Sequence, residues 1–170
     1  MKKLLSAILL GAIVFTSCTK KETPEPSQNN TTLGYNFIDQ PLQGKIEGVN
    51  WNVEFGIVEY ETFFDGDYFF SLYNVADTNH CDGNDPNTDY VLFAISNPEV
   101  GIIDFENSSQ SVTLYDKETQ NNIGAFFGAI EILTIDTTNT MTITGRMDVR
   151  ETNSSSTNYM NGNFSVTYCK

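Results

Sequence analysis

The sequence predicts an all-β protein with a single antiparallel β-sandwich or β-barrel domain. Apolar and polar side chains alternate in several segments, and this period of two is typical of half-buried strands. Clusters of Asn, Asp, Gly, Ser and Pro separate these segments, and no segment beyond the N-terminus has sustained helical spacing. The alternation is compatible with a sandwich and with a barrel.

Residues 1–17 are predicted to be a signal peptide. Lys2 and Lys3 precede an apolar stretch that runs from Leu4 to Phe15 with few interruptions. This stretch has about a dozen residues, whereas a permanent transmembrane helix needs roughly 20. It also has no polar face, so it is not suited to the surface of a globular domain.

The end of this leader reads Phe15-Thr16-Ser17-Cys18 and resembles the lipobox of bacterial lipoproteins. The resemblance implies that the Cys18 thiol is acylated, that the signal is cut just before Cys18, and that the chain is held on a membrane by lipid. Two or three acyl chains would make this attachment stable. Phe15 departs from the Leu, Val or Ile that is usual at its position. The alternative is an ordinary secretory signal with a cysteine present by chance.

Residues 18–43 are predicted to be the lipidated cysteine and a flexible tether, because they are rich in Thr, Asn, Pro, Gln and Glu. Residues 44–170 have the length of one all-β domain. Removing residues 1–17 removes two lysines and no acid, so the formal net charge changes from −13 to −15. This charge argues against nucleic acid as a partner and against contact of the folded body with anionic lipid.

The strands are placed by the alternation. It is clearest in residues 49–57 and 141–149, and in the second segment it predicts a core face and a solvent face that carries Arg146 and Asp148. Further strands are predicted at Asp67 to Val75, Tyr90 to Ser96, Ser111 to Tyr115, Gly124 to Ile135 and Asn163 to Cys169. A turn at Asp136 to Asn139 makes the C-terminal strands an antiparallel meander.

Cys81 and Cys169 are predicted to form a disulfide, because the compartment outside the cytoplasm is oxidising. Cys169 follows a strand in which Phe164, Val166 and Tyr168 share one face, so it projects to the opposite face and can meet a surface loop. The bond would close a loop of about 88 residues, for which chain entropy gives at most about 4.5 kcal/mol. The alternative is two free thiols.

The loop from Asp77 to Asp89 is dense in the oxygen ligands that Ca²⁺ takes. Its candidate ligands are Asp77, Asn79, Asp82, Asp85 and Asp89. EF-hand spacing is not met, because Asp89 stands at the twelfth position, where a bidentate Glu is required. The alternative is a solvated acidic turn that binds no metal.

The sequence contains little that points to catalysis. His80 is the only histidine, so a Ser-His-Asp or Cys-His mechanism would have to use it. Phosphate-binding and nucleophile-elbow motifs are missing from the sequence. A carboxylate pair for glycoside hydrolysis is conceivable among several acids, including Glu54, Glu59, Glu61 and Glu131.

The body opens with GKIEGVNW at residues 44–51 and closes with NGNFSVTYC at residues 161–169. In both motifs it resembles small β-rich lipoproteins of the Bacteroidota. The resemblance covers roughly residues 44 to 169 and implies a lipid-anchored protein of the cell envelope, at the outer membrane, on its periplasmic or its outward side. It implies no activity.

The leading interpretation is a non-enzymatic binding or structural module that recognises a protein or a glycan through its loops. The alternatives are a Ca²⁺-stabilised carbohydrate-binding module and a carboxylate-based glycoside hydrolase. Trp51 and the many Phe and Tyr residues are assigned to the core and its rim, with stacking on a sugar as their other possible role.

Overall fold

The computed structural model describes residues 34–62, 66–76, 81, 87–108 and 110–169. The strands are β1 Gln43–Ile46, β2 Val49–Asn52, β3 Phe55–Glu61, β4 Asp67–Tyr73, β5 Tyr90–Ile95, β6 Gly101–Asp104, β7 Val112–Asp116, β8 Asn121–Ala125, β9 Phe127–Asp136, β10 Thr142–Arg150 and β11 Tyr159–Cys169. The described residues contain no helix, which confirms the all-β class. They accordingly include no helix that is long and apolar enough to cross a membrane.

The strands form one sheet that curls into an open half-barrel. The order is β6-β9-β10-β11-β3-β4-β5-β7-β8, and β1 and β2 extend the sheet beside the first residues of β11. Within the described residues the strand pairs are antiparallel, except that β11 and β3 run parallel. The predicted C-terminal meander is confirmed in β9, β10 and β11.

Two segments predicted as continuous strands are each divided. Residues 49–57 break at Val53 and Glu54, where the chain changes its hydrogen-bonding partner: the Val53 N–H still bonds to the Leu42 carbonyl in the register of β1, whereas the Glu54 N–H bonds to the Tyr73 carbonyl of β4. The segment from Gly124 to Ile135 breaks at Phe126, where the chain leaves the edge strand β8 for β9 at the other end of the sheet. The strands β1 and β6 were not predicted from the sequence, because each has four residues and so short a segment does not show a clear period of two.

The core lies on the inner face of the half-barrel. Trp51, Phe70, Leu72 and Met147 are among its fully buried side chains. The Phe70 ring stacks on Phe93 with 4.7 Å between centroids. Trp51 is therefore a core residue, as the alternation predicts.

The outer face of β10 differs from the prediction. Arg146 and Asp148 were expected to face solvent, but they are only 8% and 3% exposed. The reason is that residues 34–42 cover this face, and Phe37 packs beneath the Arg146 guanidinium at 4.7 Å from its ring centroid. We call residues 34–42 the covering segment.

The covering segment lies within residues 18–43, which were predicted to be tether. Its backbone is bonded to the domain: the Asn36 N–H donates to Asp148 Oδ2 at 3.0 Å, and the Ile38 N–H donates to Asn161 Oδ1 at 2.9 Å. Leu42 is fully buried in the core. The domain therefore begins by Asn36 at the latest, because its polar acceptors and core hold this part of the chain.

Candidate ligand-binding groove

The β1–β2 hairpin places amide side chains on the outer face of the sheet. Its two turn residues, Glu47 and Gly48, have φ values of 49° and 79°. Positive φ at both positions is what a type I′ turn requires, and this turn fixes the register of the hairpin. The Glu47 N–H donates to Asn158 Oδ1 at 2.7 Å, which fastens the turn to the loop before β11.

The register aligns amides across three strands. Asn52 of β2, Gln43 of β1 and Asn161 of β11 are direct neighbours in one row. Asn50 and Tyr159 belong to the next row on the same face. Because neighbouring strands lie about 4.8 Å apart, the first row extends over roughly 10 Å.

These rows and the covering segment form a groove of about 480 Å³, which we call the amide groove. Its size falls in the range of about 300–1,000 Å³ that is usual for small-molecule sites. The lining residues are Ile38, Gln40, Gln43, Gly44, Asn50, Asn52, Tyr159 and Asn161. This lining, made of described residues, contains no acidic or basic side chain.

Gly44 allows the strands of the groove to approach closely. A Cβ atom at this position would lie 1.8 Å from the carbonyl oxygen of Tyr159, so any other residue would push β1 away from β11. The glycine therefore keeps Gln43 in register with Asn161 on the outer face.

The amides of the groove fall into two groups. Asn161 and Gln40 are used within the fold. Asn161 accepts from the Ile38 N–H and donates to the Asn36 carbonyl at 2.8 Å, and the Gln40 amide donates to the Asn161 carbonyl at 3.3 Å. Gln43, Asn50 and Asn52 are exposed, and their side chains make no hydrogen bond to the part of the chain that is described. Three amides are thus available to a ligand.

Apolar surface accompanies these amides. Tyr159 is half-buried, and Ile38 keeps 43% of its surface exposed. The groove therefore offers hydrogen-bonding groups beside an aromatic ring and an aliphatic side chain, a combination common in sites for polar small molecules.

Two ion pairs lie on β9 and β10 next to the groove. Arg146 Nε lies 2.5 Å from Glu131 Oε2, and Arg150 lies 2.8 Å from Asp148 Oδ1. Among the described residues, every buried side-chain nitrogen or oxygen has a hydrogen-bond partner. The charges of these four side chains are therefore balanced in pairs, and their positions are fixed by the contacts.

A further polar contact holds the start of the covering segment. Tyr35 donates a hydrogen bond to Asp104, the last residue of β6. This bond, together with one from Asn107, keeps the pKa of the Asp104 carboxyl below its ordinary value. Burial and the Asp104 carboxylate raise the pKa of Tyr35 well above its ordinary value.

The predicted disulfide fits the structure. The Sγ atoms of Cys81 and Cys169 are 2.02 Å apart, and their Cα atoms are 5.2 Å apart. Cys169 is 4% exposed and packs with Ile57 and Tyr73 on the outer face, opposite the core, as the strand pattern predicts.

An aromatic row lies on the same outer face. Phe55, Tyr73, Tyr90 and Tyr115 are in register across β3, β4, β5 and β7. Successive ring centroids are 4.8, 6.0 and 4.6 Å apart. We call these four rings the aromatic row; they stiffen the surface on which Cys169 lies.

The proposed calcium ligands are only partly described. Asp77, Asn79, Asp82 and Asp85 lie outside the described residues, as do His80 and Cys18. The carboxylate of Asp89 accepts from the Lys117 N–H at 2.9 Å, and its carbonyl accepts from the Trp51 indole at 3.4 Å. In the part of the chain that the structure describes, no three acidic, His or Cys side chains come together to hold a metal.

The acids considered for hydrolysis do not meet in the groove. Glu131 is engaged by Arg146, Glu54 and Glu61 are exposed, and Glu59 is half-buried on β3. None of these four lines the amide groove.

Comparison with known protein families, curated proteins and solved structures finds no match. The fold and the groove therefore define the class: an all-β half-barrel domain with an amide-lined groove on its outer face.

Proposed function

We propose that the chain is a lipid-anchored, non-enzymatic module of the cell envelope that binds a ligand in the amide groove. The observation that carries this proposal is the set of three exposed amides, Gln43, Asn50 and Asn52, aligned in a groove of about 480 Å³ and bonded to nothing else described. Exposed amides held in register by a rigid hairpin are arranged for recognition.

The chemistry of the lining supports binding over catalysis. General acid–base and nucleophilic mechanisms need a carboxylate, imidazole, thiol, amine or activated hydroxyl beside the substrate. The residues described around the groove supply amides, one phenol and one aliphatic side chain. The amides and the aliphatic side chain hold a ligand without transforming it, and the Tyr159 phenol has no second ionisable side chain beside it in the described lining.

The N-terminus supports the envelope location. The leader and the lipobox resemblance at Cys18 favour export and acylation. The covering segment also lines the groove through Ile38 and Gln40, so the chain that comes from the anchor enters the domain beside the proposed site.

The anchor is tested by replacing Cys18 with Ser. In cells fed labelled palmitate, the wild-type chain should carry label and sediment with membranes, whereas Cys18→Ser should carry none and be released. The released variant should keep its β circular-dichroism spectrum. A Cys18→Ser chain that stays in the membrane fraction would contradict lipid anchoring.

The groove is tested by photo-crosslinking of the full chain in cells. The crosslinker p-benzoylphenylalanine is placed at Ile38, which lines the groove and is 43% exposed, and at Tyr60, which is 44% exposed and lies elsewhere. We expect a discrete adduct from position 38 and none from position 60. Equal labelling at both positions, or none at position 38, would overturn the proposal.

A further inference from the structure

We infer that the ligand of the amide groove is a neutral oligosaccharide. This inference rests on the proposed binding function and names the ligand class. It follows from the hydrogen-bonding capacity of the lining, from the apolar surface beside it, and from the charge of the domain.

The hydrogen-bonding capacity matches sugar hydroxyls. An Asn or Gln side chain offers two donors and an acceptor with two lone pairs, and a hydroxyl is itself both donor and acceptor. Gln43 and Asn52 are direct neighbours in register, and Asn50 lies one row away. Adjacent hydroxyls of a ring can therefore bond to adjacent amides.

The length of the row indicates more than one sugar. Asn52, Gln43 and Asn161 extend over roughly 10 Å, given the usual strand spacing. Tyr159 and Ile38 add apolar surface on which the C–H face of a sugar ring can pack. A short linear oligosaccharide uses both features at once.

Electrostatics select a neutral ligand. The lining described contains no basic side chain, and Lys45, which lies in the second row, is not part of it. The full sequence has a formal charge of −13, and the proposed cleavage before Cys18 would make it −15, because residues 1–17 contain two of the basic residues and no acid. Nucleotides and acidic sugars would be repelled, although amides can also bond to bases.

A protein ligand fits the lining less well. The centre of a protein interface is enriched in aromatic and other apolar residues. In the amide groove, five of the eight lining residues are amides, and only Ile38 and Tyr159 are large and apolar or aromatic. The balance favours a polyhydroxylated ligand.

The test uses the full chain, purified in a detergent without a sugar headgroup, on an array of neutral and acidic glycans. We compare wild type with the double variant Gln43→Leu/Asn52→Leu, which keeps side-chain size and removes the amides. The matched control is Asn139→Leu, an exposed amide in the β9–β10 turn, at the end of β10 opposite to the residues that pair with Asn161 and Tyr159. Thermal unfolding of each variant shows whether it is folded.

We expect wild type and Asn139→Leu to bind the same neutral oligosaccharides, and the double variant to bind them at least tenfold more weakly while unfolding cooperatively. An array on which no neutral glycan binds, binding confined to acidic glycans, or equal binding by the double variant would overturn the inference. A crosslinked adduct at Ile38 together with an array on which no glycan binds would overturn the saccharide inference but support the proposed binding function. No adduct at Ile38 would overturn the module itself.

Discussion

The outer face of the sheet is covered in two different ways. Over β10 and β11 a length of backbone, the covering segment, lies on buried polar groups, chiefly Asp148 and Asn161. Over β3, β4, β5 and β7 the outer face is covered by the side chains of the aromatic row and by the buried Cys169. The difference follows from hydrogen bonding: a covering backbone brings N–H groups that need acceptors, whereas stacked rings satisfy one another by packing.

The two regions should therefore fail differently when they are perturbed. The polar region depends on individual hydrogen bonds, so the removal of one acceptor leaves a partly buried N–H group without its partner in the domain. The aromatic region depends on a disulfide and on contact area. Its loss of stability on mutation should therefore depend on the length of the loop that the disulfide closes and on the surface that is no longer buried.

The largest effect is expected from the disulfide. Cys81→Ala/Cys169→Ala opens a link between residues 88 apart in sequence, and chain entropy gives a loss of at most about 4.5 kcal/mol in the free energy of unfolding. Urea titration measures this loss. Dithiothreitol should lower the stability of wild type to that of the double variant and should leave the variant unchanged; a wild type that is insensitive to reduction would contradict the bond.

The next effect is expected from the polar region. Asp148→Ala removes the acceptor of the Asn36 N–H and the partner of Arg150, and should cost about 3 kcal/mol. Asp148→Asn keeps an acceptor for the N–H and should cost clearly less. Urea titration of the two variants separates the hydrogen bond from the charge, and equal losses would show that the N–H contact contributes nothing.

The aromatic region provides a smaller and contrasting effect. Tyr115 stacks on Tyr90 with 4.6 Å between ring centroids. Tyr115→Leu should cost about 1 kcal/mol through loss of the stacked pair, whereas Tyr115→Phe keeps the ring and should be nearly neutral. Thermal unfolding distinguishes the two variants. A large loss in Tyr115→Phe would show that this region also depends on hydrogen bonds.

Sequence reasoning was most successful where the period of two persisted. It placed β4, β5, β7, β10 and β11 within a few residues, and each of them is at least five residues long. Burial alternates strictly in β5 and β7, whereas the last four residues of β4 are all buried. It could not place the covering segment, whose composition is that of a tether. The hydrogen bonds of Asn36 and Ile38 join residues more than 110 positions apart, and such contacts have no local signal.

The alternation of apolar and polar residues could not predict the amide groove either. In a sequence, an Asn or Gln on a strand indicates only a position that faces solvent. Asn52, Gln43 and Asn161 become neighbours only through the register of three strands. One signal was present: Glu47-Gly48 between two short alternating segments can form a two-residue hairpin turn. The aromatic row could not be predicted either, because its four rings become neighbours only through the register of β3, β4, β5 and β7.

The smallest effect, at the start of the covering segment, is pH-dependent. Because the fold lowers the pKa of Asp104, that carboxylate stabilises the protein above its unfolded pKa, and the stabilisation is lost as pH falls through the lower folded value. Tyr35→Phe removes the largest cause, so the pKa of Asp104 should rise toward its ordinary value.

The same variant should lower stability at neutral pH by about 0.5 kcal/mol, since the contact is near the surface. NMR titration of the Asp104 carboxyl carbon measures the pKa, and Tyr60→Phe is the control for loss of a hydroxyl elsewhere. If Tyr35 only packs against the domain, Asp104 will titrate identically in wild type and Tyr35→Phe. A shift confined to Tyr35→Phe would show that polar bonds secure the covering segment from its first residues, in contrast to the aromatic row.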